Sequence, residues 1–244
     1  MTLQWCALGI STFFALLRLP GAWRGENRGI TAALILLSLS MALSIPFFYL
    51  PVDALLGGVN AANLILRYLL FAVLLILGVK TAAAFGAPRA SRLIGGPVGW
   101  VVLAGAVVAV AVFYALGDLS QSSTGLLAYK DHREADFYGD SARIYQGYVG
   151  ACLVPSLFAC AADSGRRPDI RMSAGLLALG FLAIVIYTVQ SLAVLDLDTG
   201  IWNLVVPYSA VILVSLGLAL IWSSRRREKR QPLAGSLAKV SRPR

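Results

Sequence analysis

Long apolar runs separated by short polar segments fill almost the whole chain. A bilayer core about 30 Å thick needs roughly twenty helical residues to cross it, so each run predicts one transmembrane helix. A helix satisfies its own backbone hydrogen bonds in lipid, and no ten-residue alternating pattern indicates a barrel. We therefore predict an all-α, polytopic membrane protein with seven transmembrane helices. The predicted spans cover residues 2–18, 29–50, 61–85, 96–116, 143–162, 171–194 and 201–222.

The spans form one predicted unit, a seven-helix transmembrane domain over residues 1–222, followed by a basic tail at 223–244. The longest predicted connection is an outer loop at 117–142. The first span lacks a positive n-region, and Arg18 and Arg24 follow it where a signal peptide would have a small-residue cleavage site. We therefore interpret it as a retained helix.

The basic residues predict the orientation of the chain in the membrane. Seventeen of the 21 lysines and arginines fall in the first, third and fifth connections and in the tail. The positive-inside rule therefore predicts an external N-terminus, a cytoplasmic C-terminus and a multi-pass protein of the plasma membrane. The net charge of +9 is then a cytoplasmic feature and does not indicate nucleic-acid binding.

Composition supports the same class, because 58% of the residues are apolar and only 14% are charged. Such values exclude an ordinary soluble domain. Arginine outnumbers lysine seventeen to four, and alanine, leucine, valine and glycine dominate, which is typical of a GC-rich bacterial genome.

The tyrosines are confined to one side of the predicted topology. All nine fall in the outer loop or in the outer half of a span, as do the amides within or near spans. Buried polar groups need partners, so we expect these to face one another or water and to form a polar cavity that opens outward. An aromatic belt at headgroup depth is the alternative, and it would account for Tyr49 and Tyr114. In span five, a single helical face carries Tyr145, Tyr148, Cys152 and Ser156.

Arg67 lies inside the third predicted span, roughly 10 Å below its outer end if the helix begins near Asn60. An intramembrane arginine usually faces a bundle interior or an aqueous cavity. A snorkelling side chain that reaches back to the headgroups is the other interpretation. If the guanidinium points inward, its expected partners are Asp140 or Asp196, tyrosine hydroxyls or a bound anion.

Catalytic, metal and cofactor sites are not predicted. The chain has no HExxH, GxSxG, P-loop or dinucleotide fingerprint, and span seven has no lysine for a retinal Schiff base. The single histidine, His132, lies among mixed charges in the outer loop, where a solvated side chain is the simpler interpretation. The three cysteines are interpreted as packing residues. The tail predicts stop-transfer anchoring and attraction to anionic lipid, through Arg225, Arg226, Arg227, Lys229 and Arg230.

One segment resembles a known family. The run from Gly57 to Leu64, continuing into Arg67 and Tyr68, is similar to the second-loop and third-helix signature of a family of actinobacterial seven-helix integral membrane proteins described as transporters. The run from Tyr138 to Tyr148 resembles that family's outer loop and fifth helix. The resemblance implies a transmembrane bundle over nearly the whole chain and no particular substrate. Members of that family commonly continue into a cytoplasmic domain after the last helix, whereas a basic tail is expected at that place here.

Two functions remain open. A transporter or receptor would bind a small solute, with anions among the candidates, in the outer cavity. An accessory subunit would use its helices to bind another membrane protein, and its polar groups would only pack the bundle. Span four has no ionisable residue beyond Trp100, so we expect it to face lipid or a second copy of the chain. The predicted ligand-binding residues are Asn63, Arg67, Tyr68, Tyr145, Tyr148, Tyr187 and Asn203.

Overall fold

The computed structural model describes residues 2–117, 121–129, 133–192 and 205–224, and the regular elements in those ranges are helical. A short 3-10 turn, Thr124–Tyr129, precedes the longest helix. The α-helices are α1 Thr2–Trp23, α2 Arg28–Leu43, α3 Pro46–Leu55, α4 Ala61–Ala84, α5 Pro88–Gly95, α6 Pro97–Leu116, α7 Arg133–Ala162, α8 Pro168–Leu192 and α9 Val205–Ser224.

Six of these helices, α1, α4, α6, α7, α8 and α9, are long and apolar enough to cross a bilayer. The helices α2 and α3 pass the same test only together, as a pair bent by 90°, and would supply a seventh crossing. The prediction of an all-α, multi-pass membrane protein is therefore confirmed, with six or seven crossings in the described part of the chain. The orientation of the termini stays a prediction.

The second predicted span, residues 29–50, is not one continuous helix. The chain turns at Ser44 and Ile45, because Pro46 has no backbone N–H to donate and forces the residue before it out of the helical region. Ile45 is extended, with φ −100° and ψ 126°. The Ser44 hydroxyl donates to the Met41 carbonyl at 2.7 Å, which gives a carbonyl in the last turn of α2 a hydrogen-bond partner. Pro46 is the first residue of α3.

Two further boundaries differ from the prediction. The helix α7 begins at Arg133, ten residues before the predicted span 143–162, so its first turns occupy much of the predicted outer loop. The short helix α5 was not predicted, although its pattern is amphipathic. Ala90 and Ile94 are buried against the bundle, whereas Arg89 and Arg92 are exposed.

The spanning helices close into a ring. Contacts run from α1 to α2, then to α4, α7 and α8, with α6 packed outside against α7. The Ser173 hydroxyl of α8 donates to the Gly217 carbonyl of α9 at 3.1 Å. The side-chain amide of Gln4 in α1 donates to the Tyr208 hydroxyl of α9 at 3.0 Å. This contact between the first and last helices closes the ring.

Glycines allow α7, α8 and α9 to approach closely. A Cβ at Gly147 of α7 would lie 2.7 Å from the Thr188 side chain of α8, and a Cβ at Gly217 of α9 would lie 2.7 Å from that of Leu177. Gly147 belongs to a small-residue spacing of the kind found where membrane helices meet. The close contact fixes α7 against α8 over the part of the bundle that carries the polar residues described next.

Candidate functional site

A buried carboxylate joins α3 to the start of α4. Asp53 is fully buried, and its two oxygens accept hydrogen bonds from the backbone N–H groups of Asn60 and Ala62, each at 3.0 Å. It also accepts a short hydrogen bond from the Ser122 hydroxyl. The first N–H groups of a helix have no partner within the helix, and a negative charge there is favourable. Asp53 therefore caps α4 from a neighbouring helix.

The side chain of Asn60 fixes the segment 121–129 to this cap. Its Oδ1 accepts hydrogen bonds from the Tyr49 hydroxyl at 2.8 Å and the Ser123 N–H at 2.7 Å, and its Nδ2 donates to the Gln121 carbonyl at 2.6 Å. Asn60 adopts a left-handed conformation with φ 59°, which asparagine tolerates better than most residues. We call the following residues the loop-anchoring cluster: Tyr49, Asp53, Asn60, Gln121, Ser122 and Ser123.

This cluster corrects one interpretation of the tyrosines. Tyr49 is fully buried and bonded to Asn60, so it is not a headgroup-level belt residue. Tyr114 lies at a more exposed position and donates its hydroxyl to the Val59 carbonyl at 2.8 Å. The expectation that polar groups at this end of the bundle face one another is confirmed for the cluster. We refer to this end as the loop end; it is the predicted outer side.

Arg67 lies one turn below Asn63 on α4 and points toward α7. Its Nε donates to the Asn63 Oδ1 at 3.1 Å, and its guanidinium carbon lies 4.2 Å from the ring centroid of the buried Tyr138. The Tyr138 hydroxyl donates to the same Asn63 oxygen at 3.1 Å. This geometry is the inward orientation, not the snorkelling one. Among the described residues, no carboxylate forms an ion pair with Arg67.

The acid expected beside Arg67 pairs with another arginine. Asp140 Oδ1 lies 2.8 Å from Arg143 Nη1, one turn along α7, and both side chains are partly exposed. Ser191 of α8 accepts a short hydrogen bond from Arg143 and donates another to Asp140. The Arg143 guanidinium also lies 5.1 Å from the Tyr187 ring centroid and donates to the Tyr187 hydroxyl at 3.3 Å. Asp196, the other expected partner, lies outside the described residues.

The two arginines are linked through α7. Arg67 of α4 lies against the ring of Tyr138 on α7, and Arg143, five residues further along α7, lies against the ring of Tyr187 on α8. We call Arg67 and Arg143, with the side chains that contact them, the arginine pair. Within the described residues, Arg143 forms an ion pair with Asp140, whereas Arg67 forms none. The pair is therefore a positively charged polar site between α4, α7 and α8.

The predicted ligand-binding residues divide into three groups. Asn63, Arg67 and Tyr187 belong to the arginine pair, whereas Asn203 lies outside the described residues. The other three point elsewhere, to separate partners. The Tyr68 hydroxyl donates to the Val107 carbonyl of α6 at 3.4 Å, and the Tyr148 hydroxyl to the Leu93 carbonyl of α5 at 2.7 Å.

Tyr145, the third of these, is fully buried, and its ring centroid lies 5.3 Å from that of Phe71 in an edge-to-face arrangement. Its hydroxyl has no hydrogen-bond partner among the described residues. The predicted stripe on span five therefore faces several neighbours. Asp140 was expected beside Arg67, whereas Arg143 was missed. The one signal for Arg143 is its three-residue spacing from Asp140, because that spacing brings two charges together on a helix.

No protein-family model, curated protein or solved structure matches the chain. The resemblance to actinobacterial membrane proteins therefore stays a prediction that rests on the residues from Gly57 to Tyr68 and from Tyr138 to Tyr148. The predicted lipid contacts of Arg225, Arg226, Arg227, Lys229 and Arg230 fall outside the described residues and also stay predictions.

Proposed function

We propose that this multi-pass membrane protein binds a small anionic solute at the arginine pair, without converting it chemically, and acts as a transporter or receptor for that solute. The observation that carries the proposal is the position of Arg67. It lies within a membrane-spanning helix and points into the bundle, and its partners among the described residues are an amide and an aromatic ring, not a carboxylate.

The chemistry of the site favours an anion. A charged side chain within the membrane is costly unless another charge or hydrogen-bond acceptors compensate for it. Asp140 neutralises one of the two guanidinium groups and is itself bonded to Arg143 and Ser191. A carboxylate or phosphate group would balance the remaining charge, because guanidinium groups bind such planar or multidentate acceptors well. The neighbouring Tyr187 hydroxyl, which accepts a hydrogen bond from Arg143, can donate its own proton to such a group.

Thermal unfolding of the purified protein in the presence of small anions tests this proposal. The probes are sodium acetate, succinate, glutamate and phosphate at increasing concentration and constant ionic strength. A ligand at one hundred times its Kd stabilises the folded state by about 2.7 kcal/mol. We expect a saturable stabilisation by at least one anion, its loss in Arg67→Gln, and its retention in Arg92→Gln, which removes an exposed charge from α5. Equal responses of both variants would contradict the proposal.

The accessory-subunit alternative is favoured by the loop-anchoring cluster, whose polar groups pack the bundle through internal hydrogen bonds. If that function is correct, none of the anions stabilises the wild type, and a second membrane protein copurifies in fixed stoichiometry. Purification in mild detergent followed by gel filtration and mass spectrometry distinguishes the two outcomes.

A further inference from the structure

A second polar site lies at the opposite end of the bundle. The ends of α1, α4 and α9 and the start of α2 surround a cavity of about 520 Å³. We call this end the basic end, because the connections rich in lysine and arginine lie there. The cavity is partly open, and its lining includes Arg18, Lys80, Thr81 and Trp222. The sequence predicted a polar cavity only at the other end of the bundle, so this cavity is a feature that the structure adds.

A buried hydroxyl in the wall of this cavity lacks a partner. Thr81 of α4 is 3% exposed, and its Oγ1 makes no hydrogen bond with any described residue. A threonine in a helix ordinarily bonds the carbonyl four residues earlier, and a buried polar group without a partner costs free energy. The Thr81 hydroxyl therefore keeps a proton that none of the described residues accepts, beside the space that a ligand would fill.

Two cations border the same space. The stem of the exposed Lys80 crosses to α2, where its Cε lies 3.0 Å from the position that a Cβ on Gly29 would take. Within the described parts of the chain, Lys80 forms no ion pair. Arg18 is 5% exposed, donates to the Leu218 carbonyl at 2.5 Å, and lies 5.8 Å from the Trp222 ring centroid. It gives the wall a fixed positive charge.

The rest of the lining limits the class of ligand. Among the described lining residues, the exposed Glu26 supplies one carboxylate, so the two cations exceed the acids there by one charge. Ile30, Leu218 and Ile221 supply an apolar wall beside the polar groups. A ligand that fits this combination has an oxyanion able to accept several hydrogen bonds and an apolar portion attached to it. The site lies at the end of spanning helices, where lipid headgroups meet water.

We propose that this cavity binds the phosphate group of an amphiphilic phosphate ester, namely an anionic glycerophospholipid whose acyl chains lie along the apolar wall. The phosphate oxygens accept hydrogen bonds from the Lys80 ammonium and the Thr81 hydroxyl, beside the fixed charge of Arg18. This site is separate from the arginine pair and does not depend on the function proposed there.

Native mass spectrometry of the purified protein, titrated with phosphatidylglycerol in detergent, tests the proposal. We expect saturable binding, with the apparent affinity reduced about tenfold by Lys80→Gln, because a hydrogen bond to a charged group is lost. Thr81→Val keeps the shape of the side chain and should weaken binding about threefold. Lys80→Arg should retain binding. Arg92→Gln removes an exposed charge at the same end and should change the affinity less than twofold.

Inorganic phosphate, as a separate probe, identifies the source of the phosphate group. Inorganic phosphate could bind saturably and depend on Lys80 while phosphatidylglycerol does not bind. That result would support the phosphate site but show that its ligand is a soluble phosphate and not a lipid. Equal phosphatidylglycerol affinities for the wild type, Lys80→Gln and Thr81→Val would overturn the proposal. So would a loss in Arg92→Gln as large as that in Lys80→Gln, because binding would then be a general surface effect.

Discussion

Replacing Asp53 with asparagine tests whether a single buried carboxylate holds the loop end together. The aspartate accepts three hydrogen bonds, from the N–H groups of Asn60 and Ala62 and from the Ser122 hydroxyl. Asparagine keeps one acceptor oxygen, but it replaces the other with an NH2 group that faces donors. Asp53→Asn therefore leaves one or two of these donors without a partner and removes the negative charge beside the start of α4.

The cost of this substitution follows from those contacts. A buried donor without a partner costs about 1–3 kcal/mol, and loss of a favourable charge at a helix N-terminus costs about 0.3–1 kcal/mol. We expect the free energy of unfolding to fall by about 3 kcal/mol, which lowers the unfolding temperature of a chain of this length by roughly 6–12 °C.

A thiol-reactive fluorogenic dye measures this change through Cys160, which is 4% exposed and becomes reactive on unfolding. The exposed Cys6 is first replaced by alanine to lower the background. The matched control is Asp163→Asn, which breaks an exposed ion pair with Arg166 at 3.2 Å. Such a pair contributes at most about 1 kcal/mol. If Asp53→Asn lowers the unfolding temperature no more than Asp163→Asn does, the assigned role of Asp53 is wrong.

Two further predictions concern helix packing and orientation. Gly147→Ala should destabilise the protein by about 1–3 kcal/mol in the same assay, because the added methyl group meets Thr188, whereas Gly105→Ala, with nothing within 4 Å, should not. In intact cells, a membrane-impermeant maleimide should label Ala128→Cys at the loop end and spare Ser164→Cys in the turn between α7 and α8, both in a Cys6-free background. The reverse labelling would overturn the predicted orientation.

The sequence predicts the spanning helices well, because the thickness of the bilayer sets the length of the apolar run that each one needs. An apolar run long enough to cross the hydrocarbon predicts a helix whatever its neighbours, so α4, α6 and α8 lie close to their expected ranges. The break before Pro46 shows the limit. A proline inside an apolar run indicates a bend, but the 90° angle depends on how α3 packs against α4 and the segment 121–129.

The start of α7 was missed because its first turns are polar. Residues 133–142 carry too few apolar side chains to predict a spanning helix from periodicity. Their helical structure places Asp140 beside Arg143 and turns Tyr138 toward α4. The contacts with Ser191 and Tyr187 then require α8 to lie close to α7, as the glycine at position 147 permits. A linear pattern contains no information about that distance. Asn63, Arg67 and Tyr187 were therefore predicted as site residues and Asp140 was named with the wrong arginine, whereas Arg143 was not found.

The helix α4 connects the two candidate sites. Arg67 and Lys80 lie thirteen residues apart on it, about 20 Å along its axis at 1.5 Å per residue. Near one end Arg67 lacks a carboxylate partner among the described residues, and near the other the Thr81 hydroxyl lacks a hydrogen bond. A helix that served packing alone would be more stable with apolar side chains at both positions, because unpaired polar groups in a membrane protein cost free energy. That cost is offset if each position binds an anion, which is why we assign ligands to both ends of α4.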